Sequence, residues 1–153
     1  MIRNVFSVFG LCVGLLVAMP VHGADEFATE EFAADELAAY IDVVGAPGDG
    51  KEALERALSN RLLDRGFAVT STPAVNAYEI QGIVSLSPAD RGKENIRIDW
   101  IVFGPDGTRL SNVTQTRVIR KGSLSRRWGP AADAAAEAAL QDIFKLLPVN
   151  SGL

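Results

Sequence analysis

Apolar residues between positions 51 and 65 recur on one helical stripe. Leu54, Ala57, Leu58 and Leu62 stand at i, i+3, i+4 and i+8, which predicts an amphipathic helix from Lys51 to Arg65. Lys51–Glu55 and Glu52–Arg56 form i, i+4 pairs on its wet side. Gly66 follows as a left-handed stop, with Phe67 placed to fold back on the last turn. After this helix the period changes from 3.6 to 2. Tyr78, Ile80, Val84 and Leu86 alternate with Glu79, Gln81 and Ser85, and Ile96, Ile98, Trp100 and Val102 alternate with Arg97 and Asp99. Such alternation predicts antiparallel strands over Tyr78–Leu86 and Ile96–Phe103, with one face packed and one largely wet. A turn over Pro88–Glu94 separates them, and Gly104-Pro105-Asp106-Gly107 makes the next turn. A third strand is predicted over Arg109–Arg120. Val113 and Val118 differ in parity, which points to a bulge near Asn112.

Two further elements frame this meander. A strand over Tyr40–Gly45 precedes a Gly/Pro-rich loop, and Phe67–Ser71 reads as a short edge strand. A last helix begins at Gly129-Pro130, with proline at its first position, and ends before Pro148. Its stripe is Ala132, Ala136, Ala139, Leu140, Ile143 and Leu147. The order is β-α-(β)-β-β-β-α. It predicts an α+β two-layer sandwich, with two helices on one face of a mostly antiparallel sheet.

The first 23 residues read differently. Arg3 gives a basic start, residues 5–21 are apolar, and Val21-His22-Gly23 supplies small residues for cleavage before Ala24. This is the pattern of a secretory signal peptide. An uncleaved anchor is countered by Pro20 and the acidic stretch that follows. Lipidation is countered by Cys12 lying in mid-run rather than after it. Cys12 and His22 are the only cysteine and histidine, so a cleaved chain has neither thiol nor imidazole. That closes Cys–His catalysis and thiolate or imidazole metal sites. A cysteine-free exported domain suits a bacterial periplasm. The expected organisation is signal peptide 1–23, acidic Ala/Glu-rich tether 24–39, one α+β domain over 40–148 and a tail over 149–153.

The net charge of −4 becomes −5 when Arg3 is removed, which argues against a nucleic-acid partner. The charge is segregated. Residues 25–49 hold eight acids and no base, while residues 109–127 hold Arg109, Arg117, Arg120, Lys121, Arg126 and Arg127 without an acid. The basic stretch ends beside Trp128. Arginine forks suit oxyanions and an indole offers a stacking face. Arg117, Arg120, Lys121, Arg126, Arg127 and Trp128 are therefore the candidate partner-binding residues. The alternative is a solvated loop with Trp128 plugging the core.

Gly45-Ala46-Pro47-Gly48-Asp49-Gly50-Lys51 matches part of a phosphate-binding loop. Glu52 stands where a hydroxyl must hold magnesium, so no nucleotide is expected; the loop reads as a tight turn with Asp49 capping the helix. Asp99 is the acid that most warrants inspection for carboxylate chemistry. No catalytic, cofactor-binding or metal-ligating residue is assigned.

The strand, the Gly/Pro loop, the helix ending in Arg65-Gly66-Phe67-Ala68-Val69, the meander and the closing helix together resemble the small α/β domain at the front of the Tol-system propeller protein. The pattern is also similar to outer-membrane activators of peptidoglycan synthases and to curli-secretion lipoproteins. Val43-Val44-Gly45-Ala46-Pro47-Gly48-Asp49-Gly50, with Gly122-Ser123-Leu124 and Trp128-Gly129, looks more specifically like uncharacterised exported proteins of Gram-negative bacteria. The leader lacks the lipidated cysteine of the lipoprotein members. The resemblance implies a non-enzymatic periplasmic adaptor in envelope assembly or maintenance, not membrane-spanning after cleavage, with an envelope protein or an anionic glycan as partner. The alternative is a small-molecule or glycan binder using residues 117–128.

Overall fold

The computed structural model describes residues 37–147. The expected signal peptide, most of the expected acidic tether and the tail lie outside the described residues. The elements run β1 (Ala38–Val44), α1 (Gly50–Leu63), β2 (Ala68–Thr70), β3 (Ala77–Ala89), β4 (Lys93–Phe103), β5 (Arg109–Arg120) and α2 (Pro130–Ile143). The strands form one five-stranded sheet in the order β2-β1-β3-β4-β5. This is the expected α+β arrangement.

The sheet is mixed. β1 pairs in parallel with both β2 and β3, whereas β3, β4 and β5 form an antiparallel meander. The parallel half follows from connectivity, because β1 returns to the sheet through α1, and a helical crossover delivers a strand parallel to its predecessor.

One face of the sheet is packed. Ile41, Val43, Ile80, Val84, Ile98, Trp100 and Val102 join Leu54, Leu58, Leu62, Ala136, Ala139 and Ile143 in one buried cluster. Every residue expected on the two helical stripes is buried. Trp100 fills the middle of the core and is fully buried. Gly82 lies opposite it in the ladder, and a Cβ there would meet the Trp100 ring at 2.7 Å. The core can hold its largest side chain because the neighbouring strand has none at that point.

The stop after α1 forms as expected. Gly66 takes φ +84°, its N–H donates to the Leu63 carbonyl at 2.9 Å, and the Phe67 N–H donates to Leu62 at 3.0 Å. This is a Schellman closure, and Phe67 is buried beneath it.

Three boundaries need correction. β1 begins at Ala38 rather than Tyr40, and Ala38 and Ala39 are fully buried, so those two residues belong to the sheet and not to the tether. The β3–β4 turn is narrower than Pro88–Glu94. Pro88 and Glu94 are paired across the ladder, and only Asp90-Arg91-Gly92 turns, with positive φ at Arg91 and Gly92. The bulge lies at Leu110, not near Asn112: Val102 opposes Ser111 and Phe103 opposes Arg109, leaving Leu110 unopposed. Val113 and Val118 differ in parity for a simpler reason. Val113 packs inward, and Val118 stands 55 % exposed on the outer face.

Candidate functional site

The two sequence words set apart above are two halves of one contact. Trp128 Nε1 donates to the Pro47 carbonyl at 2.9 Å, and the Trp128 backbone N–H donates to Asp49 Oδ1 at 2.8 Å. The Asp49 N–H donates to the Arg126 carbonyl at 3.1 Å. The indole lies over Gly50, where a Cβ would meet Nε1 at 2.5 Å, and the Arg126 backbone lies over Gly48. Glycine is needed at both positions because the chains approach this closely.

This clasp corrects two expectations. Asp49 occupies the N-cap position of α1, but its carboxylate makes no cap hydrogen bond; it is turned to Trp128. Trp128 is 2 % exposed, so it plugs the core and is not a surface contact. The resemblance to a phosphate loop also ends in structural bonds. Lys51 Nζ donates to Asp42 Oδ1 at 2.6 Å, to Glu55 Oε1 at 2.7 Å and to the Val43 carbonyl at 3.0 Å. These bonds, Asp42 first, raise its pKa, and the ammonium is held against the end of β1. Asp99 is likewise engaged, by Arg97 through two bonds of 2.7 and 2.9 Å and by the Thr114 hydroxyl. The Arg97 guanidinium, then Thr114, hold its carboxyl below the ordinary aspartate range. An acid kept ionised in this way suits a surface ion pair better than proton transfer.

The remaining candidates stay at the surface. Arg117 and Arg120 lie on β5, and Lys121, Arg126 and Arg127 on the loop to α2; all five are exposed. Among the described residues none of these five enters an ion pair, whereas Lys51, Arg61, Arg97 and Lys145 all do. Their clustering was legible as a run of bases without acids. Their exact neighbours were not.

What the sequence did not reveal is a groove of about 470 Å³ between α2 and the β4–β5 hairpin. Ile96 and Ile98 form its floor, Ala134, Ala135 and Ala138 line its α2 side, and Leu124 and Trp128 line it near the loop. The groove exists because the inward positions of β5 turn polar. Gln115 faces Ile98 and Arg117 faces Ile96 across the ladder. Gln115 ties the helix down, its Nε2 donating to the Ala135 carbonyl at 3.0 Å while its Oε1 accepts from Trp100 Nε1 at 3.4 Å. Arg117, the next inward residue, lines the groove and makes no side-chain hydrogen bond among the described residues. The only signal for this in the sequence was the weaker alternation of the last strand. A second cleft, of about 390 Å³, lies at the other end of the sheet, with Tyr40, Tyr78 and Phe103 in its lining.

β5 is an edge of the sheet. Among the described residues nothing pairs with its outer side along a 12-residue strand, the usual template for an added strand. Among the described residues no helix is long and apolar enough to cross a membrane.

No family model matches the chain. Among solved structures it is similar to a PelC dodecamer from Paraburkholderia phytofirmans, at 16 % identity and TM-score 0.48 over 74 % of this chain and 91 % of that one. It is similar to a minor lipoprotein from Acinetobacter baumannii, at 13 % identity and TM-score 0.39 over 69 % and 91 %. A lipoprotein from Neisseria meningitidis matches at 10 % identity and TM-score 0.37 over 71 % and 99 %.

Proposed function

We propose that the chain is a non-enzymatic binding domain of the bacterial envelope, acting in the periplasm as an adaptor in envelope assembly or maintenance. The signal-peptide pattern supports the compartment. The observation that carries the role is the β5 edge, which no strand pairs with among the described residues, flanked by bases that enter no ion pair among those residues. An extended acidic segment of a partner protein fits such an edge. Main-chain bonds supply affinity and the charges supply orientation and on-rate. The test is envelope crosslinking with the wild-type chain and with Arg120→Glu/Arg127→Glu, combined with hydrogen exchange on β5. The expected result is a crosslinked partner that protects β5 amides and is lost on charge reversal. Equal capture by both forms, with β5 amides unprotected, would sink the adaptor reading.

The groove favours a second reading, a ligand-binding protein using residues 117–128. Its volume lies within the range of about 300–1,000 Å³ common to small-molecule sites.

A further inference from the structure

We infer that the groove between α2 and β5 takes a single-chain anionic amphiphile, one acyl chain carrying a carboxylate or phosphate head. This rests on the groove being a ligand site and names the ligand's class.

The body of the ligand follows from the lining. Ile96, Ile98, Leu124 and the α2 alanines offer hydrocarbon along the length of the groove. The polar group best placed to serve a peptide or sugar is Gln115, and both ends of its amide are already bonded, to Ala135 and Trp100. Besides Arg117, the other polar side chains in the lining are the short Thr116 and Ser123, so a polar ligand body would leave most of its own groups unpaired against hydrocarbon, which costs more than an unmade contact gains. An alkyl chain has no such cost and gains with each methylene it buries.

The head group follows from charge. Arg117 lines the groove from an inward position on β5 and enters no ion pair among the described residues. Its aliphatic stem can lie against the apolar floor while the guanidinium reaches the mouth. Arg126 and Arg127, on the loop that gives Ser123, Leu124 and Trp128 to the lining, add positive charge on that side of the groove. Glu94, which opposes Ile119 in the ladder, is the acid to weigh against them. It accepts the Gly122 N–H at 3.0 Å, so it is committed to the hairpin end. A carboxylate or phosphate at the mouth would take the fork of Arg117.

The test titrates the purified protein with hexadecanoate, hexadecanol and a lysophosphatidylglycerol, each below its aggregation threshold. Calorimetry gives affinity, and Trp128, which lines the groove, gives an emission change. The expected Kd for the two anionic chains is on the order of 1–10 µM. Hexadecanol should bind about tenfold more weakly, and Arg117→Gln should reduce hexadecanoate to the hexadecanol level while leaving hexadecanol unchanged. Ala134→Phe should abolish all three with a near-native melt. A preference for one head group assigns carboxylate or phosphate. Equal binding of hexadecanol and hexadecanoate, unaffected by Arg117→Gln, would overturn the anionic head but leave the groove a ligand site. Binding of glycan fragments blocked by Ala134→Phe, with no chain bound, would overturn the amphiphile and spare the groove. Silence toward every probe would remove both. Adsorption to phosphatidylglycerol vesicles that Ala134→Phe does not weaken, without free-chain binding, would assign the charge to a membrane surface and overturn the proposal.

Discussion

α1 and α2 lie side by side on the same face of one sheet and meet it in different ways. α1 drives Leu54, Leu58 and Leu62 into the core, and all three are fully buried. Its N-terminus is locked by the Trp128 clasp and by Lys51 bridging Asp42 and Glu55. α2 seats Ala132, Ala136 and Ala139 against the core, and Leu140 and Ile143 near its C-terminus. It also joins α1 directly, through Arg61 to Glu137 at 2.8 Å, and just beyond the two C-termini Phe67 meets Phe144, with ring centroids 5.9 Å apart. Toward β5 it carries Ala131, Ala134, Ala135 and Ala138, which line open space. Leucines close a layer, whereas alanines let the helix backbone come close on one side and leave a slot on the other. The sheet is thus sealed under α1 and accessible under the β5 side of α2.

The largest effect is expected where the sealed side is held shut. Trp128→Ala removes a buried indole and the Pro47 hydrogen bond, and should cost about 3–5 kcal/mol. Urea unfolding of the folded domain measures it. A loss below about 1 kcal/mol would mean that the clasp adds little and that the two ends of the core differ less than their geometry indicates.

The two alanine stripes of α2 give the next test. Ala136 is fully buried, so Ala136→Leu overpacks the core and should destabilise by about 1–3 kcal/mol. Ala134 faces the groove, and Ala134→Leu should change stability by no more than about 0.5 kcal/mol. Thermal melts of the pair decide it. Equal losses would show that the groove has no room for the added side chain.

Lys51 sharpens the comparison through pH. Its pKa is raised in the folded state by Asp42 and Glu55. The folded chain then binds the proton more tightly than the unfolded chain. The stabilisation is complete below about pH 10.4, the unfolded lysine value, and fades as pH rises toward the higher folded value. The side chain is 45 % exposed, so solvent holds the effect below about 1 kcal/mol. Lys51→Met should lose that amount at pH 7 and show a flatter stability profile between about pH 9 and 11. A profile unchanged by Lys51→Met would assign the alkaline loss to another group.

Much of the sealed side was legible in the chain. The leucine stripe of α1, the Gly66–Phe67 stop and the alternation of β3 and β4 are local patterns whose period states which face is buried. The groove was not legible, because it depends on where α2 comes to rest relative to β5, a long-range fact that alanines at both packed and open positions do not encode. Trp128 shows the same limit. Beside Arg126 and Arg127 it reads either as a surface aromatic or as a plug for the core, and only the approach of residues 47–50, some 80 positions earlier, decides for the plug. Asp49 was placed correctly at the start of α1. Its bond went to Trp128 because that backbone N–H offered a partner the helix end did not need.

The smallest stability effect is expected on the open side, at Arg126→Ala/Arg127→Ala. Both side chains are exposed, and neither enters an ion pair among the described residues. What this segment gives the fold comes from the Arg126 backbone, whose carbonyl accepts the Asp49 N–H, and alanine keeps that carbonyl. The melt should therefore stay within about 0.5 kcal/mol of wild type. Capture of an anionic partner should weaken, and the wild-type interaction should fall with added salt, since exposed charges are screened over about 8–10 Å at physiological ionic strength. A near-native melt with salt-sensitive loss of capture separates the two roles of one loop, its backbone closing the core and its side chains facing outward. A drop of several degrees would instead place the arginine side chains among the contacts that hold Trp128 in the core.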